Sequence, residues 1–153
     1  MKMPKISAGL LMFRRRPSGV EVFLVHPGGP FWQKKDLGAW SIAKGGATKG
    51  EDLLLAAQRE FQEETGIVPA SQFIALGEVR QPGGKIVWAW AFENDLSPKI
   101  LSNTFSMEWP PGSGRAQEFP EVDRGEWFSV EEARKRINRG QIAFLERLVE
   151  ALP

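Results

Sequence analysis

The chain has 153 residues, of which 42% are hydrophobic and 25% charged, a composition typical of one globular domain that folds without disulfide or metal staples. Twenty basic and nineteen acidic residues give a net charge of +1, which excludes a strong overall field for nucleic acid or an anionic membrane. The chain has no cysteine, which excludes disulfides, thiolate metal ligands and cysteine nucleophiles and agrees with a cytoplasmic location.

The first part of the chain predicts a β-hairpin followed by a loop. Residues 6–15 and 20–26 have strand-like composition, and the proline and glycine of RPSG between them favour a turn. The apolar run of the first strand is too short to span a membrane and arginines follow it, so we expect no membrane partner. Residues 27–38, rich in glycine, proline and aromatic residues, then predict a loop that leads through AWSIAKGG to the next element.

Residues 51–64 predict the clearest helix, because they contain no proline or glycine and many strong helix formers. Asp52, or Thr48 with Glu51 three residues later, is the candidate cap at its start. Gly66 stands where helices commonly end.

The second half predicts another hairpin and C-terminal helices. Residues 73–81 and 85–93 flank the turn PGG and are rich in β-branched and aromatic residues. Residues 94–121, which include EWPPGSGR, are poorly patterned and predict mainly loop, followed by a short strand GEWFS. SVEEARKRI begins with a capping-box pattern, and Gly140 separates it from a last helix. Together these elements predict an α/β fold in which helices cover a mixed sheet.

Three glutamates crowd one face of the central predicted helix. Glu60, Glu63 and Glu64 fall within a sector of roughly 100° on a helical wheel. Like charges at this spacing repel, and a hard divalent cation with oxygen ligands would relieve the repulsion. Arg59 precedes Glu63 by four residues, a spacing that allows an ion pair. The alternative is a solvated acidic helix face without any ligand.

The spacing of glycines and charges around these glutamates resembles the Nudix box without a mismatch. From Gly45 to Ile67 the chain reads G, five residues, E, seven residues, R-E-apolar-x-E-E-x-G-apolar. At average residue frequencies such a match arises by chance on the order of once in 10⁷ chains of this length. AGLLMF before the box and EVDRGEWFSVEEA after it are similar to the usual order of Nudix domains, especially of small bacterial proteins described as predicted NTP pyrophosphohydrolases. The resemblance implies a Nudix-type α/β/α sandwich with a mixed central sheet, in which residues 1–153 form a single domain.

The resemblance also implies a metal site and a reaction. Carried over position by position, Glu60, Glu63 and Glu64 and the backbone carbonyl of Gly45 would bind Mg²⁺ or Mn²⁺. Water would then attack the pyrophosphate of a nucleoside diphosphate linked to another group. No protein nucleophile is needed in that reaction.

The resemblance assigns supporting roles to two further residues of the box and leaves the general base open. Glu51 and Arg59 would orient the metal ligands. The base of the family lies either in the box, at Glu63 or Glu64, or on a later loop, where this chain offers Glu118, Glu121 and Asp123. We favour Glu118 among the loop residues, and the alternative is that these acids only make the loop polar.

Four residues outside the acidic set are candidates for substrate contacts. Lys44 and Lys49 flank the glycine loop and are suited to phosphate oxygens, although exposed lysines beside a turn are common. Phe31 and Trp32 are suited to stacking on a base, and the alternative is a small hydrophobic cluster under their loop. His26, the one histidine, is expected at the surface, so histidine catalysis is unnecessary.

The substrate class rests on the resemblance alone. We expect a small nucleotide and not a nucleic acid, most of all a nucleoside triphosphate or a dinucleoside polyphosphate such as diadenosine tetraphosphate. Pro82, fifteen residues after Ile67, is similar to a marker of ADP-sugar hydrolases and keeps ADP-ribose and ADP-sugars as the alternative, although a hairpin turn also explains it. A nucleotide-binding module without activity is the alternative of another class. The oligomeric state stays open, a homodimer included.

Overall fold

The computed structural model describes residues 5–69, 72–97 and 100–153. The strands are β1 (Ile6–Arg16), β2 (Gly19–Pro27), β3 (Ala43–Gly46), β4 (Ile74–Arg80), β5 (Ile86–Glu93), β6 (Thr104–Glu108), β7 (Ala116–Pro120) and β8 (Val122–Ser129). The helices are α1 (Leu53–Thr65), α2 (Val130–Arg136) and α3 (Ile142–Ala151), with a 3-10 turn at Arg139–Gln141. Both predicted hairpins and all predicted helices are present.

Six strands form a mixed central sheet in the order β4-β5-β1-β2-β8, with β3 paired to β1. β1 and β5 run parallel, whereas the other neighbouring strands run antiparallel. β3 aligns its Gly45 with Ala8 of β1, next to the α1 layer. This pairing fixes the glycine loop against the sheet.

The central strand β1 contributes side chains to two separate cores, as expected for the period of two in a strand. Leu11 and Phe13 belong to the core shared with α2 and α3. Leu10 and Met12 belong to the core shared with α1, where Phe61 is also buried. The sheet is therefore covered on both faces, and the predicted α/β/α sandwich with a mixed central sheet is confirmed.

The ends of α1 follow from two local signals in the sequence. Asp52 is the N-cap, and its carboxylate accepts a 3.0 Å hydrogen bond from the backbone N–H of Leu55. Gly66 ends the helix with a φ of 73°, in the left-handed region that favours glycine, and its N–H donates to the carbonyl of Gln62. The capping alternative with Thr48 is wrong, because Thr48 instead donates to the Glu51 side chain before the helix begins.

One hairpin lies where the sequence predicts mainly loop. β6 and β7 pair antiparallel, with Phe105 opposite Phe119, and form a separate two-stranded sheet. β6 does alternate, with Phe105 and Met107 half-buried between exposed polar residues, but it is only five residues long, and β7 is exposed except at Phe119, so the pattern is too short to mark a hairpin. Residues 98–99 of the predicted loop lie outside the described residues. Within the described ranges, none of the helices combines the length and apolar character needed to cross a bilayer.

Candidate active site

The helix α1 presents its three box glutamates at different depths. Glu64 is buried, with 4% of its surface exposed. The side chain of Glu60 is 15% exposed and that of Glu63 is 39% exposed. Phe61, between them on the helix, holds this turn against the core through an edge-to-face contact with Phe92 at 5.1 Å. The acidic face is therefore graded from the core to the surface.

The glycine at the start of the box lies directly against one of these carboxylates. A Cβ atom added at Gly45 would be 2.0 Å from Cδ of Glu60, so the Glu60 carboxylate would have to move away. Because β3 is paired to β1 beside α1, the approach is fixed by the fold. Glycine at position 45 thus brings the backbone and the Glu60 carboxylate together.

Arg59 connects the box acids to one another. Its guanidinium donates to both carboxylate oxygens of Glu51 at 3.1 and 3.2 Å, to Glu60 at 3.0 Å and to Glu63 at 3.5 Å. Glu51 also accepts from the backbone N–H and the hydroxyl of Thr48. The hydrogen bonds from Arg59 and then Thr48 lower the pKa of Glu51 to about 2. Glu51 and Arg59 therefore form a fixed ion pair that orients Glu60 and Glu63.

The charge of the buried glutamate is only partly compensated, by the cation of Lys44. Oε2 of Glu64 has no hydrogen-bond partner although it is shielded from solvent. Burial, and after it the negative charges of Glu60 and Glu121, raise the pKa of Glu64 to about 8. Burial and the charge of Lys85 in turn lower the pKa of Lys44 to about 8. A cation beside Glu64 would relieve this arrangement.

Glu64 lines a small cavity of about 180 Å³. Lys44 and Glu121 line it as well, so the predicted phosphate contact and one loop acid meet the box here. Glu118, the loop acid that the sequence favoured, is exposed on β7 opposite Ser106 and does not line this cavity. Glu118 and Glu121 are both exposed, but of these two only Glu121, in the turn between β7 and β8, lines the cavity, and the sequence shows three acids within a few residues without telling which of them does.

The histidine is buried, so the prediction of a surface role is wrong. His26 has no exposed surface, and its ring nitrogens lie 2.9 Å from Oδ1 of Asp123 and 2.6 Å from the carbonyl oxygen of Lys35. Its ring also contacts Trp40 edge-to-face at 5.1 Å. His26 and Asp123 therefore tie β2 to β8 and to the following loop. A lone histidine at a strand end carries no signal of this role.

The other predicted substrate residues lie in two further cavities. Phe31 and Trp32 are 59% and 39% exposed, and they line a cavity of about 440 Å³ that also contains Glu121. Lys49 lines a separate cavity of about 610 Å³ with Lys5. The structure thus brings Phe31, Trp32 and Lys44 toward Glu64 and Glu121, and leaves Lys49 apart from them.

The residues of the box fit a hard divalent cation. The available donors are carboxylate oxygens and the backbone at Gly45, which suit magnesium or manganese. The partnerless Oε2 of Glu64 is the oxygen that most requires such an ion. Across residues 5–69, 72–97 and 100–153, no three acidic or histidine side chains are already placed together to hold a metal ion, and Glu60 and Glu63 accept hydrogen bonds from Arg59.

Comparison with known proteins identifies the family of the chain. The sequence model of the NUDIX domain matches residues 3–148. RNA pyrophosphohydrolases from two strains of Caulobacter vibrioides are 41% identical over 59 residues, which are 35% of this chain and 34% of theirs. The chain therefore matches about a third of the length of these curated relatives.

Solved structures show the same architecture at low sequence identity. The NUDIX domain of Shewanella oneidensis NrtR, complexed with ADP ribose, has a TM-score of 0.71 at 16% identity, over 100% of this chain and 91% of that one. An Ap4A hydrolase of C. elegans in a binary complex has a TM-score of 0.64 at 21% identity, over 94% and 96% of the two chains. At such identities the likeness establishes the fold.

The family match extends over nearly all of the chain and includes the complete box from Gly45 to Ile67. The homologous pyrophosphohydrolases act on acid anhydrides, and enzymes of this family generally use divalent metal ions. The solved structures share the sandwich fold, and the box glutamates of this chain lie on its helix α1. The chain belongs to the Nudix hydrolase family.

Proposed function

We propose that this protein is a metal-dependent Nudix pyrophosphohydrolase that cleaves a pyrophosphate bond in a nucleoside diphosphate-linked substrate. The observation that carries the proposal is the buried carboxylate of Glu64, whose Oε2 has no partner beside the other box acids. A buried acid in this condition costs stability unless a ligand compensates it, which marks a functional site. The complete box agrees with catalysis, since every acidic position is present.

The cation would be Mg²⁺ or Mn²⁺, held by Glu60, Glu63, Glu64 and the Gly45 carbonyl. It would polarise the pyrophosphate and lower the pKa of an attacking water. Arg59 donates to Glu60 and Glu63 in the metal-free site, so these two carboxylates would turn from Arg59 to join Glu64 at the cation. The proposed role of the box residues is therefore to bind the cation and to orient its ligands.

For the general base we propose Glu121 in place of Glu118. Both residues are exposed, but Glu121 lines the cavity that contains Glu64 and its charge acts on Glu64, whereas Glu118 lies on the β6–β7 hairpin and does not line that cavity. Glu63 remains the candidate within the box, since it is the most exposed of the three glutamates there. The general base would remove a proton from the water as its oxygen attacks phosphorus. The bond from that phosphorus to the bridging oxygen then breaks, and negative charge builds on the leaving oxygen.

The phosphates and the nucleobase of the substrate would bind on either side of Glu121. Lys44 lines the cavity with Glu64 and is the proposed phosphate contact. Lys49 lies in another cavity and would reach only a longer phosphate chain. Phe31 and Trp32 are the proposed contacts to the nucleobase, since both expose aromatic surface beside Glu121.

Among substrates we propose nucleoside triphosphates or dinucleoside polyphosphates such as diadenosine tetraphosphate. One solved relative by fold is named an Ap4A hydrolase, and another is complexed with ADP ribose, so ADP-ribose and ADP-sugars remain the second choice. The local similarity to an RNA pyrophosphohydrolase adds the 5′-phosphorylated end of RNA to the compounds to be tested. The cytoplasmic location, the single domain and a homodimer stay predictions.

The test is product formation by the purified protein from nucleoside triphosphates, diadenosine polyphosphates, ADP-ribose, ADP-sugars and a 5′-triphosphorylated oligonucleotide, with Mg²⁺, Mn²⁺ or EDTA. The proposal expects metal-dependent cleavage of one class and its loss in Glu63→Gln and Glu64→Gln. Glu131→Gln, in the first turn of α2, is the matched control and should keep full activity. Wild-type turnover in both box variants would refute the mechanism, and binding without turnover would favour a sensor module.

A further inference from the structure

We propose that the β6–β7 hairpin forms one wall of a nucleobase-stacking subsite and thereby determines which compounds the enzyme accepts. The other wall is the loop that contains Phe31 and Trp32, and the space between them is called the hairpin cavity. Its volume is about 440 Å³, within the range of small-ligand pockets. This inference rests on the proposed function, which assigns Phe31 and Trp32 to the nucleobase, and adds the hairpin as the second wall that determines specificity.

The lining of the hairpin cavity is mainly apolar and aromatic. The hairpin contributes Phe105 and Met107, and the loop contributes Phe31 and Trp32. Glu121 adds a carboxylate at one side. Planar aromatic surfaces bind the flat face of a base with little regard to its identity, because every base has a π-face. The cavity is thus suited to stacking more than to reading the edge of a base.

The two walls are held together at one end by glycines that permit a close approach. A Cβ at Gly28 would be 2.0 Å from the carbonyl oxygen of Pro120, and one at Gly29 would be 2.9 Å from the ring of Phe105. The Gly28 N–H also donates to the carbonyl of Glu121 at 2.9 Å. The walls are therefore tied to each other at the end that contains Glu121, and the cavity is largely preformed.

At the other end the aromatic rings remain open to solvent. Phe31 is 59% exposed and Trp32 is 39% exposed, although both are large apolar side chains. Phe31 lies 5.7 Å from the ring of Trp109, in an edge-to-face arrangement between the loop and the residue that follows β6. A flat ligand that covers these rings would remove apolar surface from water, which favours its binding.

The hairpin cavity adjoins the cavity of the buried box glutamate. Pro27 and Glu121 line both spaces, so they adjoin at these two residues. A nucleotide with its base between Phe31 and Phe105 would extend its phosphates past Glu121 toward Lys44 and Glu64. Because the two cavities adjoin, we assign the aromatic surface to a nucleotide and not to a second copy of the chain.

The test compares two ligands that share phosphates but differ in the base. Binding of a non-hydrolysable methylene analogue of ATP and of inorganic tripolyphosphate is measured by calorimetry for wild type, Phe105→Ala and Trp109→Ala. For Phe105→Ala, which removes a lining ring, we expect a loss of nucleotide affinity of about 5- to 150-fold, the range for removing one stacking partner, with tripolyphosphate affinity unchanged. For Trp109→Ala, which removes the ring that contacts Phe31 edge-to-face, we expect a smaller loss. Trp109→Phe should keep most of the nucleotide affinity. Val149→Ala, exposed on α3, is the matched control.

The outcomes separate this inference from the proposed function. Wild-type nucleotide affinity in both alanine variants, with hydrolysis intact, would overturn the stacking subsite and leave the pyrophosphohydrolase standing. No cleavage of any compound by wild type, with affinity loss in the variants, would overturn catalysis and keep the subsite. A change of oligomeric state in Trp109→Ala on size-exclusion chromatography, with unchanged affinity, would assign the surface to a second copy of the chain. Both side chains are only half-buried and lie outside the two cores of the central sheet, so we expect the variants to fold, and circular dichroism checks this.

Discussion

Replacing Glu64 by glutamine should have opposite effects on stability with and without metal. Glu64 is 4% exposed and its Oε2 lacks a partner, so burial and the charge of Glu60 raise its pKa to about 8. A carboxyl with a folded pKa above its unfolded pKa stabilises the fold relatively at low pH, and this contribution is lost as the pH rises toward the folded pKa. The metal-free wild type should therefore lose stability between about pH 4.5 and pH 8.

The size of the effect follows from the same pKa. Each pH unit above the ordinary value of 4.5 corresponds to about 1.4 kcal/mol, which gives roughly 3 kcal/mol at pH 7 as an upper limit. Glutamine is neutral and does not incur this cost, although its buried amide also lacks full hydrogen bonding. For a chain of this length the difference corresponds to about 6–12 °C in Tm at most.

The assay is thermal unfolding of wild type and Glu64→Gln at pH 5, 7 and 8, in EDTA and in excess Mg²⁺. In EDTA the variant should have the higher Tm at pH 8 and nearly the same Tm at pH 5. In Mg²⁺ the order should reverse, because the cation binds the ionised carboxylate of the wild type and stabilises the folded state. A variant that is less stable than wild type in EDTA at pH 8 would refute this account of the buried charge.

Three further substitutions test other parts of the structure. Gly45→Ala should displace the Glu60 carboxylate and weaken Mn²⁺ binding about 10- to 100-fold, as measured by calorimetry. The Tm should change little, because no positive φ is required at this glycine. Wild-type Mn²⁺ affinity in this variant would contradict the close approach of Gly45 to Glu60. Gln141→Leu should cost about 1–3 kcal/mol in urea unfolding, because the side chain of this buried residue accepts a 3.0 Å hydrogen bond from the Ile42 N–H; an unchanged midpoint would show that water replaces the bond. Phe61→Ala should cost about 3–5 kcal/mol in the same assay, and a loss under 1 kcal/mol would mean that the core repacks.

The layers and the box helix were predictable because their signals are local. The strong helix formers between Asp52 and Gly66, and the two caps themselves, determine where α1 begins and ends. The identity of the box depends on spacing, and the helical period then places Glu60 and Glu64 on neighbouring positions of one face. Such features need no knowledge of the rest of the chain.

The depth of each glutamate was not predictable from the helical wheel. Glu63 and Glu64 are adjacent in sequence, yet one is exposed and the other buried. The difference arises because α1 packs against β1 and β3, and the position of β3 depends on strand pairing across the sheet. Arg59 binding to Glu51, eight residues earlier, likewise depends on how the loop before the helix folds back.

The loop acid and the second aromatic wall depend on contacts between distant segments. Whether Glu118 or Glu121 faces Glu64 is decided by the turn between β7 and β8, where one residue of shift moves a side chain to the other face. Phe105 meets the loop with Phe31 across more than seventy residues of sequence. Neither pairing leaves a local pattern.

The central claim is that water attacks a pyrophosphate bond at the site of Glu64, and its most direct test is hydrolysis of the best substrate in oxygen-18 water with Mg²⁺. Mass spectrometry of the products should show one oxygen-18 atom on a single phosphate of one product for wild type, and no labelled product for Glu64→Gln. Nucleotide binding by the wild type with no labelled product in any metal would contradict the claim and leave a binding module.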